Sequence, residues 1–249
     1  MTERIFQINF EPDPQEVLRR IGERCHEAGR PAYICVADGN VVSTVYHDGE
    51  YRSVVDGAMF SIVDSSWIPV LVRRLTGGRW VQYCGSDIFR DITTCGKYRQ
   101  YFLGSSADVL EALKTNLTAV DPGIAGMSFA ELPFCDVDEF DYEGIARRIN
   151  ADSPDIVWLS LGAPKQERFA ARLTPLLDRG VVIPVGAVFN FRAGLGIRRA
   201  PQWMVKCRLE WLWRIFSEPG KQIRRCRRIA GTFPKVYRSE RLSRSKMEK

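Results

Sequence analysis

The stretch Leu159–Gly194, LSLGAPKQERFAARLTPLLDRGVVIPVGAVFNFRAG, decides the fold. An apolar run ends at Leu161 and gives way to a glycine turn. Pro164 then opens a helix carrying Lys165, Gln166 and Glu167 on its first turn. A second apolar run, Val181–Val185, leads into the glycine-bounded loop Gly186–Gly194. Continuous apolar runs alternating with helices belong to parallel strands covered on both faces. In such open sheets ligands bind beyond the carboxyl ends of the strands, and a helix N-terminus there favours phosphate. Two polar loops opening on one edge point to a nucleotide-type ligand.

Outward from that stretch the alternation continues. Asp13-Pro14-Gln15-Glu16 has the pattern of an N-cap with proline in the first turn, opening a helix that runs to Ala28 and stops at Gly29. Ala32–Ala37 is a buried strand and Asp38-Gly39-Asn40 its turn. Val54-Val55 leads as a strand into Asp56-Gly57, and Ile62–Leu75 has a helical composition interrupted by Pro69. Strands are expected at Tyr101–Gly104, Ile124–Ser128 and Ile156–Leu161, with helices at Ser106–Leu117, Glu139–Ile149 and Pro164–Leu177. The expected class is α/β: a Rossmann-like parallel sheet with helices on both faces, over residues 1–197.

After Gly194 the character changes. Residues 198–249 hold 16 Lys and Arg against 4 Asp and Glu, whereas residues 1–197 hold 20 against 26. The overall charge of +6 thus divides into a mildly acidic body and a strongly basic appendage. Pro201–Phe216 places Val205, Leu209, Leu212 and Phe216 at helical spacing, Pro219-Gly220 is expected to break that helix, and Lys221–Arg228 follows as a basic amphipathic segment. Basic residues beside Trp203, Trp211 and Trp213 suit a membrane surface. The last dozen residues are expected to be disordered. No apolar run approaches the roughly 20 residues that span a bilayer, and the N-terminus lacks a signal-peptide pattern, so a cytoplasmic protein is expected. Seven scattered cysteines without a CxxC pair, and two histidines, argue against a zinc site or a disulfide framework.

Four segments together resemble the WecG/TagA/CpsF family of bacterial glycosyltransferases: LGAPKQE (161–167), VGAVFNFRAG (185–194), RRAPQWM (198–204) and LEWLWRIFSEP (209–219). Weaker matches are Asn40, Asp56-Gly57, GSDIF (85–89) and FLGSS (102–106). The resemblance implies an inverting transfer of a sugar, often N-acetylmannosamine or its uronic acid, from a UDP donor. The acceptor it implies is a polyprenyl-diphosphate-linked sugar at the cytoplasmic membrane face. It implies no metal and no cofactor. Three departures bear on donor and acceptor fit: Asn190 where the family has Asp, Ser105 and Ser106 in a glycine-rich turn, and Ala58-Met59-Phe60 in place of a glycine-containing run.

Inverting transfer needs a carboxylate to take the acceptor hydroxyl proton. Asp56 matches the family's catalytic Asp, with the alternative that it caps a turn. Asp87 is the second carboxylate, as an acceptor-sugar ligand or a helix cap. Gln166 and Glu167 offer hydrogen bonds to uracil or ribose, Lys165 to the diphosphate, and Gly162 and Gly186 allow close backbone approach. Asn40 and Asn190 complete the expected substrate contacts. Phe189 and Phe191 are expected to fill the loop rather than stack on a base. Charge growing on the leaving diphosphate calls for a cation, and Arg198, Arg199 and Arg214 are the candidates. The appendage arginine would complete the site on docking, across a subunit boundary of a homo-oligomer or at the membrane.

Two other classes account for only part of the sequence. A nucleic-acid-binding protein would use the basic tail, but the acidic body offers no electropositive groove and no recognised motif. A dinucleotide oxidoreductase would need a GxGxxG after the first strand, which Ala37-Asp38-Gly39-Asn40 is not. A catalytically inactive family member acting as a scaffold is the remaining alternative.

Overall fold

Short apolar runs rich in β-branched and aromatic residues form the strands, and those in the middle of the sheet are buried along their whole length. In the computed structural model β1 (Glu3–Ile5) and β2 (Ile8–Phe10) form a hairpin. Then follow α1 (Pro14–His26), β3 (Ala32–Tyr33), β4 (Cys35–Ala37), α2 (Gly39–His47), α3 (Gly49–Asp56), β5 (Ser61–Val63), α4 (Ile68–Thr76) and α5 (Gly85–Thr93). The second half runs β6 (Gln100–Gly104), α6 (Ala107–Thr118), β7 (Ser128–Ala130), α7 (Tyr142–Asp152), β8 (Ile156–Ser160), α8 (Lys165–Leu173), β9 (Val181–Pro184) and α9 (Val188–Ala193). Two further helices cover Glu210–Ser217 and Pro219–Met247. The structure describes residues 2–195, 201, 204, 210–217 and 219–247, with side chains for only part of the last two stretches.

Among the described residues the strands form a four-stranded sheet, β1-β2-β5-β4, and a five-stranded sheet, β3-β9-β8-β6-β7. Every pairing except the β1–β2 hairpin is parallel. The two sheets meet where β3 runs into β4. Ile34 donates to Val182 on one side at 3.1 Å, and Cys35 to Phe60 on the other at 3.1 Å. Helices cover both faces of this Rossmann-like arrangement. One apolar cluster contains Tyr51, Leu159 and Phe169, and the other Phe89, Phe102, Trp158 and Phe189.

Several local expectations are corrected. Val54 and Val55 are helical, not a strand: Asp48 caps α3 through the Tyr51 N–H, and Tyr51 and Val55, four apart, bury one face of it. The composition of 62–75 splits into β5 and α4, and Pro69 stands in the first turn of α4, where its missing N–H costs nothing. Residues 122–126 make a 3-10 turn ahead of β7 instead of a strand. Gly186–Gly194 contains the short helix α9, ended by Gly194 at φ +72°. The described helices here are Glu210–Ser217 and Pro219–Met247, so Pro219 begins the second, again at a position where proline is tolerated, and Gly220 lies inside it. That helix continues to Met247, so most of the last dozen residues are helical and not disordered.

The Pro219–Met247 helix lies against α2. Thr232 is buried and receives a hydrogen bond from Ser43 Oγ at 3.0 Å, while its hydroxyl lies 3.0 Å from His47 Nε2. A Cβ on Gly39 would stand 3.3 Å from Ile229 and 3.4 Å from Phe233, so the helix rests directly on the first turn of α2. Farther along, Glu240 accepts the Phe6 N–H at 2.9 Å. Among the described residues no helix is long and apolar enough to cross a membrane.

Candidate functional site

Five parallel strands deliver their next residues to one cleft of about 440 Å³. Asp38 follows β4, Asp64 follows β5, Ser105 follows β6, Leu161 and Gly162 follow β8, and Val185 and Gly186 follow β9. The crevice opens beyond the strands' carboxyl ends, as the sheet type requires. The amino ends of α5 (Gly85, Ser86) and α9 (Ala187, Val188) also line it. Their first-turn N–H groups have no intrahelical partner and carry the positive end of the helix dipole.

Two carboxylates dominate the cleft. Asp38 caps α2, accepting the N–H groups of Asn40 at 2.8 Å and Val41 at 3.1 Å. It also pairs with Arg225, which the C-terminal helix brings across from far along the chain. Asp64 is held by the Gly85 N–H at 2.9 Å, and its backbone carbonyl accepts from Gln82 Nε2 at 2.7 Å. The cluster expected to meet the membrane surface is Lys221, Arg224, Arg225, Arg227 and Arg228. Arg224, Arg227 and Arg228 are exposed and the side chain of Lys221 lies outside the described residues, whereas Arg225 turns inward and lines the cleft beside Gln222.

Of the residues expected at the site, Gly162, Gln166, Gly186 and Asn190 line the cleft. Gln166 is buried, its Nε2 donating to Glu167 Oε1 at 2.8 Å and its Oε1 left without a partner. A Cβ on Gly186 would stand 3.4 Å from that oxygen, so glycine keeps the space in front of it open. Phe191 lines the cleft, while Phe189 is buried in the core against Phe89 and Phe102.

The others lie elsewhere. Asp56 ends α3 ahead of β5, on the amino edge of the sheet and opposite the cleft, where Arg4 donates to it at 2.9 Å. Asp87 closes a capping box at the start of α5 and pairs with Arg90. Lys165 donates to the Cys135 carbonyl, its ammonium 4.8 Å from the centre of the Phe140 ring. Glu167 is fully buried behind Gln166, and burial pushes its carboxyl above the usual range, with the Gln166 hydrogen bond opposing. Asn40 is buried in the first turn of α2 without lining the cleft. Arg198, Arg199 and the side chain of Arg214 lie outside the described residues.

Sequence reading missed Asp64 because a three-residue strand, β5, was taken as part of a helix. The signal was SIV followed by an Asp and then a proline-marked helix start. Asp38 was seen only as a turn residue. Arg225 carried no sequence signal that separates it from its basic neighbours.

A parallel sheet wound on both faces, with strand exits converging on one polar cleft, defines a Rossmann-like α/β protein with a ligand site at its carboxyl edge. Residues 3–246 match the model of the glycosyl transferase WecG/TagA/CpsF family, and the chain belongs to that family. It is a glycosyltransferase. Among curated proteins it is 29% identical over 202 residues to an N-acetylglucosaminyldiphosphoundecaprenol N-acetyl-beta-D-mannosaminyltransferase of Bacillus subtilis, covering 76% of each chain. A protein of that name from Bacillus spizizenii is 26% identical over 87% of this chain and 83% of its own. Another from Staphylococcus aureus is 24% identical over 84% and 81%.

Proposed function

We propose that the protein transfers an N-acetylmannosamine-type sugar, with inversion, from a UDP donor to a polyprenyl-diphosphate-linked N-acetylglucosamine in cell-surface polysaccharide synthesis. The observation that carries this reading is the pair of carboxylates with a facing arginine at the carboxyl edge of the sheet, in a chain of this family. Asp64 is the base. Asp38 caps α2 and pairs with Arg225, and Asp64, next to it in the cleft lining, accepts the Gly85 N–H at the amino end of α5. It takes the proton of the acceptor hydroxyl as that oxygen bonds to the anomeric carbon. The bond from that carbon to the diphosphate oxygen breaks, and the electron pair leaves with UDP.

Charge on the departing diphosphate is met by the amino ends of α5 and α9 and by Arg225. Arg199 and Arg214 are further cations of the appendage for the same role. Gln166 and Asn190 supply polar contacts to the donor, and Phe191 a face for its base. The protein works on the cytoplasmic face of the plasma membrane. Its body is residues 1–197, and the exposed Arg224, Arg227, Arg228, Arg238 and Arg241 of the appendage lie on anionic lipid.

Calorimetric titration with UDP, against UMP, ADP and NAD and with and without magnesium, tests the donor assignment. Selective UDP binding that weakens in Gln166→Ala is expected; absence of a uridine preference overturns it. Asp64→Asn is expected to lower the transfer rate by about 10²–10⁴-fold with UDP-sugar affinity little changed. Equal loss of binding and turnover would make Asp64 a structural residue.

A further inference from the structure

Beside the polar cleft runs a second cavity of about 500 Å³, within the range of ligand pockets. Trp67 and Leu71 form one wall, and Cys226, Ile229, Ala230 and Phe233 of the Pro219–Met247 helix form the other. Its wall is mostly apolar, with Ser65, Ser66 and Gln82 as uncharged polar members, and its charged residues are shared with the cleft. Asp38, Asp64, Gln222 and Arg225 belong to both cavities, so the groove opens directly into the cleft beside the carboxylate assigned as the base.

From this continuity we propose that the groove holds the first isoprene units of the acceptor's polyprenyl chain while the diphosphate lies at the junction. The inference rests on the polyprenyl-linked acceptor reading above. An acceptor of that kind has an anionic head joined directly to a branched hydrocarbon chain. The two cavities have the same sequence of chemistry, with Arg225 at the boundary and uncharged walls beyond it. The groove exists only when the C-terminal helix is docked, because that helix supplies one whole wall. Trp67, at 51% exposure, is a large apolar ring held in solvent at the rim, as expected for a surface that a hydrocarbon covers. In this arrangement the helix does more than approach the membrane: it draws the lipid's proximal end out of the bilayer and into register with the cleft.

Direct binding separates this proposal from the catalytic one. The full-length protein is titrated with farnesyl diphosphate, geranyl diphosphate and inorganic diphosphate, with no sugar donor present. Affinity is expected to rise at least tenfold from inorganic diphosphate to farnesyl diphosphate. Ala230→Trp, which fills the groove from the helix side, and Leu71→Asn, which wets the opposite wall, are each expected to reduce that difference to about twofold while leaving inorganic diphosphate binding unchanged. Two walls are altered separately so that a displaced helix in the first variant does not decide the result. Chain-length-independent binding by the wild type, or an undiminished preference in Leu71→Asn, overturns the proposal. In parallel, transfer to N-acetylglucosamine diphosphates carrying ethyl or farnesyl esters is measured. Failure of transfer to both esters with farnesyl binding intact overturns the transferase reading alone. Equal KM values for the two esters overturn the groove alone.

Discussion

Burial and backbone conformation give individual residues here their measurable effects. Glu167 is fully buried and its carboxyl is held above the usual range by desolvation. The folded protein therefore binds that proton more tightly than the unfolded chain does. Stability is greatest while both states are protonated and falls as pH rises from the ordinary carboxylate value through the raised folded one. Glu167→Gln is expected to flatten that fall and to raise the melting temperature at neutral pH while changing little near pH 4; thermal unfolding across pH checks it. Ser105 holds φ +70° in the lining of the cleft. A left-handed conformation costs a side-chain-bearing residue about 1–2 kcal/mol, and the extra freedom of unfolded glycine takes back about 0.5–1. Ser105→Gly is thus expected to stabilise by about 0.5–1 kcal/mol in urea titration. Asp56 is a surface partner of Arg4, a pair worth about 0–1 kcal/mol. Asp56→Asn is expected to leave transfer within about twofold of wild type, in contrast to Asp64→Asn; an inactive Asp56→Asn with normal stability would return the base to Asp56.

Among the elements, the C-terminal helix depends most on a single contact surface. It meets α2 at Gly39, Ser43 and His47, and the β1–β2 turn at Phe6. That turn holds Phe6 and Gln7 at φ +52° and +64°, a conformation that favours Gly or Asn, and the Glu240 hydrogen bond and the Phe233 ring lie against it. Gly39→Val would press branched methyls into Ile229 and Phe233, an overpacking cost of about 1–3 kcal/mol. The helix is expected to loosen while the sheet stays folded. Trypsin should then cut at the arginines of 224–241 many times faster in the variant, with the body surviving as a resistant fragment. Equal cleavage rates would show that the helix does not depend on this contact. Element types were legible in the sequence wherever periodicity ran long: α1, α6, α7 and α8 fall close to their expected spans. The three-residue strands β1, β2 and β5 were not legible. Ser61–Val63 is too short to show a period, and its strand state is set by pairing with β2 and β4, whose partners are remote in sequence.

Over the whole molecule, the acidic body and basic appendage meet in one structure that faces two ways. Arg225 points into the cleft, and Arg224, Arg227 and Arg228 point to solvent. Deleting residues 198–249 is expected to abolish sedimentation with anionic liposomes and to abolish transfer, because the same helix carries the exposed cations and one wall of the site. Unchanged partitioning would refute the membrane role of the appendage. The sequence by itself determined the fold class, because apolar runs of strand length between amphipathic helices can be buried only as a doubly covered parallel sheet. It also determined the family, the glycine-bounded loops after β8 and β9, and the charge division, all of which are local patterns. Only the tertiary structure decided which carboxylates share the cleft. A strand's two ends face opposite edges of the sheet, so Asp56 and Asp64, eight positions apart, fall on opposite sides of the molecule. The inward turn of Arg225 was decided in the same way, since one arginine of a basic cluster becomes part of a site wall only when the turn after β4 supplies Asp38 to meet it.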